Sequence, residues 1–112
     1  KTEKIEQVIV LLNVESDIHC LDYAAKLCDD PTVNISIADQ AGLLENGPHQ
    51  AVRALAKKFP GRINAPPELR KPDRKKLAGY DLVMVSVEGW KKMVATRQKW
   101  ISRMPSVLIV KP

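Results

Sequence analysis

The sequence predicts an α/β fold, a three-layer sandwich with helices on both faces of a parallel five-stranded sheet. Three observations carry that prediction. Val8-Ile-Val-Leu-Leu12 is an unbroken apolar run and Leu82 to Val87 reads as a second apolar strand, the pattern of strands covered on both faces. Apolar residues at helical spacing follow each run. Strand and helix patterns then alternate along the chain, which implies crossover connections and parallel pairing. Placing the two doubly covered strands at the centre gives the strand order 3-2-1-4-5, with the third strand short or irregular.

The elements follow in order. Gln7 to Asn13 holds five consecutive apolar residues, three of them β-branched, and reads as the first strand. Glu15-Ser16-Asp17 supplies N-cap candidates, Ser16 the best of them. Ile18, Leu21, Ala24, Ala25 and Cys28 recur at helical spacing, and Asp29-Asp-Pro31 stops that helix. Val33 to Ala38 alternates with period two and reads as the second strand. Asn46-Gly-Pro48 marks a loop. Val52, Leu55, Ala56 and Phe59 then trace an amphipathic helix that Pro60-Gly61 ends. Arg62-Ile-Asn64 is a short edge strand, and Asp73 to Ala78 forms a helical turn between proline-rich neighbours. Asp81 to Val87 is the fourth strand. Trp90, Met93, Val94, Arg97, Trp100, Ile101 and Met104 fall on one arc of a helix, and Val107 to Val110 closes the sheet.

The 112 residues suit one domain spanning 1–112, and the start at Lys1 is expected to be a cut within a longer protein. Apolar residues make up 45% but aromatics only 4%, so aliphatic side chains must build the core. No run of about 18 apolar residues could span a bilayer, and a cytoplasmic location is expected. The net charge of +5 suits an acidic protein partner or solubility alone. No stacking aromatics accompany the basic run Arg70-Lys-Pro-Asp-Arg-Lys-Lys76, so specific nucleic-acid binding is not expected. Cys20 and Cys28 lie on one predicted helix, about 12 Å apart at 1.5 Å rise per residue. That exceeds the reach of a disulfide, and both read as core residues of a reducing compartment.

Asp81-Leu-Val-Met-Val-Ser86, with Arg97-Gln-Lys-Trp-Ile-Ser-Arg-Met-Pro-Ser-Val-Leu-Ile-Val110, is similar to the tail of the universal stress protein family. Members of that family show Asp-Leu-Ile-Val-Met-Gly-Ser at the first place, and a helix leading through a Pro-containing link to Val-Leu-Val-Val at the second. The order of elements agrees along most of the chain. ATP-binding members carry Gly-x2-Gly-x9-Gly-Ser/Thr after the fourth strand, where glycines let the backbone approach the phosphates. Here Val85 stands at the first glycine, Gly89 alone remains in the expected loop, and Val94-Ala95 occupies the Gly-Ser step. Asn13 stands where the family often has Asp after the first strand. The resemblance therefore implies a degenerate nucleotide site without bound cofactor. Divergent versions of the family serve as cytosolic domains of membrane transporters, such as cation–chloride cotransporters and amino-acid permeases. That context implies a membrane-domain partner.

In open α/β sheets ligands bind beyond the carboxyl ends of the strands, where the strand order reverses. That point lies between Asn13-Val-Glu-Ser16 and Ser86-Val-Glu-Gly89. Asn13, Ser16, Ser86 and Gly89 are thus expected to line a vestigial cleft, with Glu15, Asp17 and Glu88 at its rim. His19 and His49, on different predicted helices, have no partner set for catalysis or for a metal. Neither Ser16 nor Ser86 sits in a Gly-x-Ser-x-Gly elbow, and no catalytic or metal site is expected. Arg97 either lies over the apolar arc between Trp90 and Trp100 or sits at a solvated first turn. Val107, Leu108, Ile109 and Val110 form an uncharged edge strand, and the resemblance implies that two copies pair there. The expected function is that of a non-enzymatic, dimerising regulatory domain, in a transporter. The alternative is a stand-alone stress protein that holds a nucleotide through an altered loop.

Overall fold

The computed structural model describes residues 5–40, 42, 50–66, 69, 74–95 and 106–110. Five strands form one parallel sheet: β1 (Gln7–Leu11), β2 (Asn34–Ala38), β3 (Ile63–Asn64), β4 (Leu82–Ser86) and β5 (Ser106–Val110). Their order is β3-β2-β1-β4-β5, as the apolar runs require. The helices are α1 (Cys20–Leu27), α2 (Gln50–Lys58), α3 (Arg74–Leu77) and α4 (Val87–Ala95), with a 3-10 helix at Glu15–His19 ahead of α1.

Alternation along the strands divides the apolar residues between two cores. Val8, Val10 and Leu12 join Ile35, Ile37 and Met84, and Cys20, Leu21 and Ala24 of α1 with Val52 and Leu55 of α2 cover them. Ile9 and Leu11 join Val83 and Val85 on the opposite face, under Leu77 of α3, Met93 of α4 and Leu69. Residues 8–11 of β1 and 82–85 of β4 must therefore be apolar at every position, because each successive side chain enters a core. Cys20 and Cys28 are both buried free thiols. Burial pushes the Cys20 thiol up to about 12, with the Asp17 carboxylate adding to the effect.

β3 has only two residues, and Arg62 anchors it. Its guanidinium donates to the carbonyls of Val33 (2.9 Å), Cys28 (2.9 Å) and Asp30, and lies over the Phe59 ring. It thereby serves the open carbonyls at the end of α1. At the amino end of the central seam, Asp81 Oδ2 accepts the N–H groups of Glu6 and Gln7, both at 2.9 Å.

Four details differ from the sequence reading. Val87 is the first residue of α4 rather than the last of the strand, so β4 passes into the helix without a loop. Gly89 is consequently helical. The buried line of α4 runs through Gly89 and Met93, and Val94, expected on that line, is 50% exposed. The α1 segment opens with a 3-10 helix capped at Val14, so Ser16 is not its N-cap. Arg97, Trp100, Ile101, Met104, His49, Asn46–Pro48 and the start of the basic run at Arg70 lie outside the described residues. Among those described, no helix is long and apolar enough to cross a membrane.

β5 lies at the sheet edge. Val107 packs on the α3/α4 core and Val110 enters the α1/α2 core, while Leu108 and Ile109 stand 39% and 42% exposed. Leu108 pairs with Met84 and Ile109 with Val85, residues of opposite cores.

Candidate functional site

The strand order reverses between β1 and β4, and backbone groups at the carboxyl ends of both strands converge there on one side chain, Asp17. Its Oδ2 accepts the N–H groups of Asn13 (2.6 Å) and Val14 (2.9 Å), and its Oδ1 accepts the N–H of Ser86 (2.8 Å). The side chain is fully buried. A buried carboxylate is costly unless its lone pairs are satisfied, and three backbone donors from two separate segments meet that need. The local cause is the 3-10 turn: Asp17 N donates to Val14 O at 3.0 Å while its carboxylate returns to Val14 N. This is half of a capping box, with the acid three residues beyond the cap.

The four expected cleft residues come together around this carboxylate. Ser86 is fully buried, and its Oγ accepts the Gly89 N–H at 3.0 Å, capping α4. Gly89 packs so closely that a Cβ there would stand 2.4 Å and 2.7 Å from the two Asp17 oxygens, and 2.8 Å from Val85 Cγ2. Glycine is therefore required to admit Asp17. Ser16 Oγ donates to Glu88 Oε2 at 2.7 Å, an exposed bond that links the segment after β1 to α4. Asn13 contributes its backbone: the N–H goes to Asp17, and the carbonyl accepts Lys92 Nζ at 3.1 Å. The Asn13 side chain is buried, and its Nδ2 has no hydrogen-bond partner among the described residues.

Sequence reasoning placed Asp17 at the rim of the crevice and missed its role. The sequence marks it only as one of the N-cap candidates of the following helix. Val94 and Ala95, at the expected Gly-Ser step, are exposed on α4. β4 runs directly into α4 beside the Asp17 carboxylate. His19 is exposed at the end of the 3-10 helix. Among the described residues no group of three or more His, Cys, Asp or Glu is placed to hold a metal ion.

No family model and no curated protein matches the chain. A search of solved structures finds similarity to a chain described as "Crystal structure of universal stress protein in complex with cAMP". The two share 15% identity and a TM-score of 0.50, over 97% of this chain and 98% of that one. At this identity the likeness shows the fold, a universal-stress-protein-like α/β domain.

Proposed function

We propose that the chain is a non-enzymatic regulatory or interaction domain on a nucleotide-binding type of fold. One observation carries the reading: the switch-point crevice is filled by the chain's own Asp17 carboxylate, held by three backbone N–H groups. A phosphate would need those donors and that space. The direct passage of β4 into α4 removes the loop that would otherwise wrap a triphosphate. Two copies pair through β5, whose exposed Leu108 and Ile109 and unpaired outer edge favour addition of a further strand. The resemblance to divergent family members suggests service as the cytosolic domain of a membrane transporter. The basic surface, with Arg53, Lys57 and Lys58 on α2, suits that protein's membrane portion or an acidic partner.

Calorimetric titration of the protein with ATP and magnesium is the direct test. No heat of binding is expected, and a dissociation constant in the low micromolar range, about 1–10 µM, would reject the reading.

A second reading is favoured by one atom, the buried Asn13 Nδ2, unpartnered among the described residues. A stand-alone domain could bring that donor to a nucleotide held by an altered loop. The cAMP of the similar structure supplies the probe. Titration with cAMP that shifts the Asn13 side-chain amide resonances would select this alternative.

A further inference from the structure

The environment of Asp17 is that of a bound anion rather than of an ordinary capping acid. Two successive N–H groups, Asn13 and Val14, approach one oxygen from the end of β1, and the Ser86 N–H approaches the other from the end of β4. Ser86 is 69 residues from Asp17 along the chain. A helix cap needs only donors of its own turn, so the Ser86 contact serves another purpose. The floor is a second, independent observation. Gly89 leaves room for two oxygens at distances no Cβ would permit, and a Cβ there would also stand 2.8 Å from Val85 Cγ2. Convergent backbone donors over a glycine floor recognise a tetrahedral oxyanion as readily as a carboxylate.

We infer that Asp17 is a built-in ligand: the chain holds an oxyanion cradle formed by the N–H groups of Asn13, Val14 and Ser86 over Gly89, and the Asp17 carboxylate occupies it in cis. The inference rests on the reading of the crevice given above and adds its regulation. Negative charge supplied in other proteins by a bound phosphate is supplied here by the fold. The β1–β4 junction is therefore closed at all times rather than gated by ligand. Removing the carboxylate must uncover a site for inorganic phosphate.

The test is Asp17→Gly, with Asp17→Asn as control. The glycine variant vacates the cradle, whereas asparagine keeps it filled. Thermal unfolding is followed against inorganic phosphate, with chloride at matched ionic strength. At ten times its dissociation constant, phosphate multiplies the folded-to-unfolded ratio of Asp17→Gly about elevenfold. For a domain of this size that raises Tm by about 5 °C. The wild type and Asp17→Asn should show no such rise. Amide resonances of Asn13, Val14 and Ser86 should move on phosphate addition to Asp17→Gly alone. Should Asp17→Gly be unfolded, phosphate or formate must restore its far-ultraviolet dichroism. Equal phosphate responses in Asp17→Gly and the wild type overturn the inference, as do amide shifts confined to other residues or an unfolded variant that neither anion rescues. ATP binding by the wild type would instead defeat the functional reading, so the two failures are distinguishable.

Discussion

Replacing Gly89 with alanine sets two effects of opposite sign against each other. Gly89 lies inside α4, and in an exposed helix the change would stabilise by about 1 kcal/mol. Here the new Cβ would stand 2.4 Å and 2.7 Å from the Asp17 oxygens and 2.8 Å from Val85 Cγ2. Asp17 is not the free end of a flexible side chain, because three hydrogen bonds of 2.6–2.9 Å tether its carboxylate. Val85 is fully buried in β4 and has no room to retreat. Relief requires the carboxylate to withdraw by close to an ångström, which breaks at least two of its bonds. A buried donor left unsatisfied costs about 1–3 kcal/mol. Two such losses, less the helix gain, give a net destabilisation of about 1–5 kcal/mol. That is a large share of the roughly 5–15 kcal/mol typical of a domain, and a fall in Tm of about 5–25 °C. Urea unfolding of both proteins, with the m-value checked for constancy, measures it. A Gly89→Ala protein as stable as the wild type, or more so, would refute the reasoning and return Gly89 to the status of an ordinary helical glycine.

Three further outcomes are expected. Cys20, its thiol pushed up to about 12 by burial and by Asp17, should resist a thiol-specific reagent at pH 8 in the folded protein and react on denaturation. Stoichiometric labelling of native Cys20 would contradict the packing of α1. Asp81 is held below the usual carboxylate range by the N–H groups of Gln7 and then Glu6. A depressed folded-state value adds stability above the unfolded value of about 3.9, and that stability is lost as pH falls through the lower, folded value. Asp81→Asn should therefore cost stability at pH 7, by less than about 1 kcal/mol because the group is exposed, and the cost should shrink below about pH 4. A difference that grows on acidification would contradict the assignment. Leu108→Lys or Ile109→Lys should shift the protein from dimer to monomer in sedimentation while its dichroism is unchanged. An unmodified protein that sediments as a monomer at about 100 µM, far above the dissociation constants of stable pairs, would remove the dimer.

The sheet was legible in the sequence because burial on both faces leaves a direct trace. Val8 to Leu12 and Leu82 to Val85 have no polar residue to turn outward, so they could only be central strands. β3 could be placed from Ile63 and its prolines and glycine on either side, and the exposed β5 edge from its terminal position. The region of the site was legible for the same reason, since strand order alone defines where a parallel sheet opens a crevice. The missing phosphate glycines could be counted from the residue string. Other features depended on distances between segments far apart in the chain. The role of Asp17 is set by the Ser86 N–H, 69 residues away, and no local pattern distinguishes a buried acid at a helix start from a solvated one. The start of α4 at Val87 is likewise a tertiary result. Val87 extends an alternating valine pattern that favours strand, and the choice of helix falls to Ser86, which caps it, and to Gly89, which the helical turn brings against Asp17. Composition and periodicity report how deeply a residue is buried. Which group meets it there is decided only when two strands have been brought side by side.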